Sequence, residues 1–181
     1  MPGPIFLHGE RVTLHTIEEE DVPFVHRLVN DPAVRRRLGM WEPHTEKSER
    51  EWVEKANKDG AAHFIVGAEG EPVGSVGVKP PNETWGVGEV GCYIDPDHWC
   101  NGYASDATRT LCRYLFEERR FHRVEATAYE HNTGSRATLE KVGFVEEGRL
   151  REKAFVEGRR VDIVQYGLLR EELEEADSGQ E

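Results

Sequence analysis

The 181-residue sequence predicts an α/β fold, a sheet of about seven strands with flanking helices. Two observations predict it. Apolar runs of strand length alternate with stretches whose apolar residues recur at helical spacing. Turn-forming segments, EGEP at 69–72 and EGRR at 157–160, join neighbouring strand-like runs as hairpin turns do. The length fits one domain, so residues 1–170 are read as a single domain and 171–181 as an acidic, flexible tail.

The elements follow in order. RVTLHTI (11–17) reads as the first strand. Thr16 and Glu19 have capping-box spacing, and Val22, Val25, Leu28 and Val29 then share one helical face. Pro23 fits only near a helix start, after Asp21, and NDP at 30–32 ends the helix. A second, polar helix covers Ser48 to Lys58 and stops at Gly60. Three strands come next: AHFIVGA (62–68), PVGSVGVK (72–79) and, after the loop PPNETWG, VGEVGCYI (87–94). From Tyr103 to Arg120, Ala104, Ala107, Leu111 and Leu115 mark one helix face, with Asp106 early and Arg119 and Arg120 late, as the helix dipole favours. RVEATAY (123–129) is a strand and TGSRATLEKV (133–142) a helix ending at Gly143. Two strands close the chain, about 144–155 and 160–168.

Composition removes several classes of function. A net charge of -12 argues against broad nucleic-acid binding, which needs a basic face. No stretch approaches the ~20 apolar residues of a membrane span, and the start lacks a basic segment followed by an apolar one; a cytoplasmic location is expected. Cys92, Cys100 and Cys112 form no C-x-x-C pair and the eight histidines no H-E-x-x-H, so no metal site is expected. Gly86, Gly88 and Gly91 spell G-x-G-x-x-G, but the run leads into more strand and breaks at Pro96, which is the wrong context for a dinucleotide loop.

The chemistry concentrates in HWCNGYASDA (98–107). A strand ends at Ile94, Asp95-Pro96 turns the chain, and a helix starts near Gly102. Free N–H groups and a positive dipole end meet there, which suits an anion. Gly102 lets a ligand approach closely, and Ala104 keeps the next site small. Between His98 and Arg123, Arg109, Arg113, Arg119, Arg120 and Arg123 outnumber Asp106, Glu117 and Glu118. Taken alone, Gly102 reads sooner as a glycine that eases a tight loop-to-helix turn.

The runs EVGCYIDPDHWCNGYASDA and RVEATAYEHNTGSRATLEKVGF resemble the GNAT superfamily of acetyl-CoA-dependent N-acetyltransferases. WCNGYA is similar to the family's coenzyme signature Q/R-x-x-G-x-G/A, with Trp99 in the first position. That tryptophan, the E-V-G strand before it, and N-x-x-S followed by LEKVGF look most like the RimJ/RimL branch of ribosomal-protein N-terminal acetyltransferases. LREKAFVEGRRVDIVQYGLL resembles the branch's closing hairpin, so the likeness covers nearly the whole chain.

The resemblance implies a mixed, mostly antiparallel sheet splayed between its fourth and fifth strands. It implies that the N–H groups of Asn101, Gly102, Tyr103, Ala104 and Ser105 cradle the pyrophosphate of acetyl-CoA. Cys92, Tyr93 and Ile94 would pair with the pantetheine arm, one N–H facing the thioester oxygen, and Asn132 would bond the same region. Leu139 stands where some relatives carry a tyrosine acid; the RimL-like pattern implies Ser135 in its place, as proton donor or as an orienting hydrogen bond, and Ser135 reads equally well as a first-turn helix residue. The attacking amine must shed a proton; Glu89 is the first candidate base, with Glu152 and Asp162 behind it. Direct transfer needs no acyl-enzyme on Cys92 or Cys100. The expected partners are acetyl-CoA and an amine acceptor, with a protein N-terminus preferred. A polyamine, amino acid or antibiotic is the second reading, a non-catalytic acyl-CoA-binding module a third. A homodimer is compatible with the sequence.

Overall fold

In the computed structural model, which describes residues 2–179, eight strands form one sheet. They are β1 (Ile5–His8), β2 (Thr13–Thr16), β3 (Ala62–Ala68), β4 (Glu71–Val78), β5 (Val87–Ile94), β6 (Arg123–Tyr129), β7 (Val145–Val156) and β8 (Arg159–Leu169). Their order is β1-β2-β3-β4-β5-β6-β8-β7, and every neighbouring pair is antiparallel except β5 with β6. The helices are α1 (Val22–Asn30), α2 (Pro32–Leu38), α3 (Glu46–Val53), α4 (Tyr103–Glu117), α5 (Thr133–Val142) and α6 (Arg170–Ser178).

The alternation of strand side chains builds a core on each face of the sheet. On one face Ala107, Leu111 and Leu115 of α4, Leu139 and Val142 of α5 and Leu173 of α6 pack against Val66, Val76, Val124 and Val164. On the other, Val25 and Val29 of α1 meet Ile17, Ile65 and the ring of Tyr93. Each fully buried aliphatic side chain contributes ~1.5–3 kcal/mol, so Leu111 and Leu115 hold α4 firmly on the sheet. The two hairpin turns form as the sequence indicates. Glu69-Gly70 and Glu157-Gly158 both take positive φ, the primed-turn geometry that matches the twist of the strands.

Several boundaries differ from the sequence reading. The sheet has eight strands, because IFLH adds an edge strand too short to show a period of two. The capping box is formed by Glu18 and Asp21 around a single 3-10 turn, while the Thr16 hydroxyl donates to Glu18 instead. NDP does end α1, yet it also starts α2: Asp31 accepts from the Ala33 and Val34 N–H groups and Pro32 fills the first helical position. The polar helix is shorter, since Thr45 and Ser48 cap it earlier and Val53 ends it. The tail forms α6 through Ser178, because Leu173 is buried and Asp177 pairs with Arg109 and Arg113; residues 180–181 lie outside the described residues.

Candidate active site

β5 and β6 run parallel but pair over three residues only: Val87 with Arg123, Gly88 with Val124, Glu89 with Glu125. Beyond them β5 stays against β4 as far as Ile94, and β6 stays against β8 as far as Tyr129. The strands therefore diverge into a V at the place the resemblance implied. Its edges carry main-chain groups without a strand partner, and such groups require one.

Hydrogen bonds identify which groups face the gap. The Asp95 N–H donates to Val73 and the Lys79 N–H donates to the Glu89 carbonyl, so odd-numbered residues of β5 turn their main chain towards β4. Val90, Cys92 and Ile94 then face β6. This corrects the expectation for Tyr93: its main chain belongs to the β4 ladder opposite Ser75. Its ring packs into the α1-side core, and burial pushes its phenol up. The Ile94 carbonyl is taken by the Trp99 indole N–H at 2.7 Å, which leaves the Ile94 N–H on offer.

At the mouth of the V the chain makes a tight exit. Asp95 caps a 3-10 turn through the Asp97 N–H and binds the Arg27 guanidinium at 2.6 Å. Cys100 and Gly102 both have positive φ, +64° and +79°. Gly102 is the N-cap of α4, and no side chain caps that helix. The N–H groups of Tyr103, Ala104 and Ser105 therefore lack intrahelical acceptors, beside the positive end of a 15-residue helix. Asn101 is exposed in the same loop, with its side-chain amide donating to the His98 carbonyl.

Four of the five arginines that made this stretch look basic are engaged elsewhere. Arg109 and Arg113 pair with Asp177, Arg119 donates to the Gly60 carbonyl, and Arg123 binds Glu125 and Glu147. The side chain that lies over Gly102 itself is that of Arg11, from the turn between β1 and β2.

The remaining predicted residues surround the V. Asn132 caps α5, its side-chain oxygen accepting from the Ser135 N–H at 3.3 Å. Its amide NH2 and the Ser135 hydroxyl have no partner among the described residues, so both are available to a ligand. Glu89 leaves β5 at the last paired position. Its carboxylate binds Lys79 at 2.9 Å, receives a 3.4 Å contact from the Thr127 hydroxyl on β6, and is about one-third exposed. Glu152 and Asp162 do a structural job: the Asp162 carboxylate accepts from the Glu152 N–H at 2.8 Å, holding the bulge between Leu150 and Ala154. Leu139 is core. Cys92 points to the α4 face, where burial pushes its thiol up to about 12, which favours the protonated form near neutral pH.

One region carried no readable motif. Beside the far end of β6, a cleft of about 370 Å³ lies between the end of α2 and the β7–β8 hairpin. Arg35, Arg36, Trp41, Phe155 and Glu157 line it, and Trp41 and Phe155 are 80% and 60% exposed. Gly39, also in its wall, ends α2 in the left-handed region, and the Tyr129 hydroxyl sits where a β-carbon would stand. Only Gly allows that approach, which connects the cleft to the V.

A V-shaped gap with free strand edges, closed at its mouth by an uncapped helix start, has the shape and the free donors to receive an extended ligand that ends in phosphate. The profile of the acetyltransferase (GNAT) domain matches residues 11–145, and the chain belongs to the GNAT acetyltransferase family. The uncharacterized N-acetyltransferase p20 of Bacillus licheniformis is 31% identical over 173 residues, covering 92% of this chain and 97% of p20. A putative ribosomal N-acetyltransferase, YdaF of Bacillus subtilis, is 28% identical over 92% of this chain and 95% of its own length. The spermidine N(1)-acetyltransferase of Vibrio cholerae is 27% identical over 90% and 95%. Among solved structures, a GNAT-family acetyltransferase from Bacillus anthracis superposes with a TM-score of 0.80 at 29% identity, over 92% of this chain and 99% of that one. RimL, a ribosomal L7/L12 α-N-protein acetyltransferase solved with coenzyme A, shares the fold at a TM-score of 0.82 and 17% identity, over 92% and 98%. The chain is an enzyme of acetyl transfer from acetyl-CoA to an amine.

Proposed function

We propose that the acceptor is the N-terminal α-amine of a polypeptide. The observation that carries this reading is the cleft beside Tyr129, where two arginines stand against one glutamate and the Arg36 guanidinium already binds Glu157 at 3.1 Å. A polyamine brings several positive charges and would be repelled there; a peptide can lay its chain over the exposed Trp41 and Phe155 faces. The overall charge of -12 does not oppose this, because screening confines electrostatics to ~8 Å at physiological salt.

The residues present fit the coenzyme. The uncapped amides of Tyr103, Ala104 and Ser105, with Asn101 and Gly102, would hold its phosphates, and the N–H groups of Cys92 and Ile94 its pantetheine arm. Bound there, acetyl-CoA supplies an acetyl group activated as a thioester. A β5 main-chain N–H would stabilise the negative charge that grows on the thioester oxygen. Glu89 would take the proton that the attacking ammonium must lose, directly or through water. Asn132 would orient the arm, and Ser135 would place its hydroxyl where the leaving sulfur needs a proton.

Thiol release from acetyl-CoA, followed across N-terminal peptides, spermidine, spermine and free amino acids, tests the assignment. Peptides should turn over and polyamines should not. Faster turnover with spermidine than with every peptide would overturn it.

A further inference from the structure

The coenzyme loop lacks the arginines its own stretch seemed to provide, and the structure supplies a different one. Asp106, buried in the first turn of α4, accepts hydrogen bonds from three successive N–H groups of the β1–β2 turn: Glu10 at 3.2 Å, Arg11 at 2.7 Å and Val12 at 3.0 Å. That turn closes through Gly9, whose N–H donates to the Val12 carbonyl at 2.8 Å. A β-carbon on Gly9 would lie 2.6 Å from the Asp106 carboxylate and 2.8 Å from the Thr110 hydroxyl, so only glycine lets the turn seat on α4. The carboxylate of Asp106 is thus consumed by the turn and does not face the loop as a free negative charge.

The clamp has a consequence for Arg11. A β-carbon on Gly102 would find Arg11 Cδ at 3.8 Å and Nε at 3.9 Å, and no other heavy atom outside its chain neighbours within 4 Å. The guanidinium therefore lies over the glycine at which an anion would approach. Arg11 is exposed, and among the described residues its side chain has no ion pair or hydrogen bond. An arginine whose charge is not neutralised by a carboxylate, beside an uncapped helix start, leaves both free to meet an anion.

We propose that Arg11 is a ligand of the coenzyme pyrophosphate, delivered across 95 residues of chain by the Asp106 clamp. A guanidinium gives phosphate two parallel charge-assisted hydrogen bonds, which helix amides alone do not. The inference rests on the reading of 101–105 as the coenzyme cradle.

Calorimetric titration of CoA and of 3′-dephospho-CoA into the wild type and Arg11→Gln tests it. Arg11→Gln keeps the main-chain N–H that Asp106 binds, so the clamp should survive; the thermal midpoint checks this. Both ligands should bind the variant about tenfold more weakly, and Arg11→Lys should recover part of the loss. Turnover of S-acetylpantetheine, which has no phosphate, should be equal in the wild type and Arg11→Gln. Unchanged affinity for CoA in a folded variant would overturn the proposal. So would a loss that vanishes with 3′-dephospho-CoA, since Arg11 would then read the 3′-phosphate. Failure of the wild type to bind CoA at all would refute the cradle itself, a separate result.

Discussion

Trp99 donates its indole N–H to the Ile94 carbonyl at 2.7 Å, so the loop that follows β5 closes back on the last residue of that strand. The other face of the same indole carries the Arg37 guanidinium, 4.5 Å from the ring centroid, which ties the end of α2 to the loop. One side chain thus joins the loop before α4, the splayed strand and a helix that borders the cleft.

Trp99→Phe keeps a ring under Arg37 but leaves the Ile94 carbonyl without its donor. The expected cost is about 1 kcal/mol, a fall of roughly 2–4 °C in thermal midpoint for a chain of this size. Trp99→Ala should fall further because it also removes the ring. A Trp99→Phe midpoint equal to that of the wild type would show that the bond contributes nothing.

Glu89→Gln should reduce kcat/KM about 100-fold where the acceptor is an ammonium, and less at high pH where the amine is already neutral. The pH–rate profile of the variant, measured with one peptide acceptor, reads this directly. A profile parallel to that of the wild type would remove Glu89 as the base.

Ser135→Ala should lower kcat more than it lowers affinity for acetyl-CoA, because the Ser135 N–H, not its hydroxyl, holds the Asn132 cap. Equal losses in turnover and binding would make the hydroxyl a binding group.

The pair Arg27–Asp95 predicts an acid response. Burial raises the Asp95 carboxyl, but the Arg27 guanidinium and the Asp97 N–H outweigh it, so its pKa lies below the ordinary carboxylate value. A depressed folded pKa gives stability that is present above the unfolded value, near pH ~4, and is lost as pH falls through the folded one. In Arg27→Met the burial is less opposed and the carboxyl rises. Acid unfolding should therefore begin at a higher pH, with about 1 kcal/mol lost at neutrality, given that Arg27 is more than half exposed. Coincident acid transitions in the two proteins would contradict this.

Local pattern carried most of the fold. Strand alternation, the EGEP and EGRR turns and the TGSRATLEKV helix are all set by neighbours within a few residues, and they stand where the sequence places them. Asp31 shows the limit: the same residue that closes α1 caps α2, and proline after it reads as a stop or a start until the next turn is seen. The Gly102 turn at the start of α4 was legible because a glycine at a strand-to-helix junction is a local event. Arg11 was not, since nothing near it in sequence points to a helix nearly a hundred residues away. Counting arginines along the chain also misled, because charge near in sequence was paired with α6 and β7 in space. Tyr93 was misassigned for a simpler reason. Alternation gives two sets of main-chain groups, and only the hydrogen bonds of Lys79 and Asp95 say which set faces the gap.

Acetyl-CoA seated in the β5–β6 gap and against the α4 start, as proposed, would engage particular main-chain N–H groups. Residue-resolved amide exchange by NMR, with and without CoA, tests this seating most directly. New protection is expected at Cys92, Ile94, Tyr103, Ala104 and Ser105, with Tyr93 unchanged because its N–H already belongs to the β4 ladder. Protection at Tyr93 instead of Cys92 and Ile94, or none at the start of α4, would contradict it.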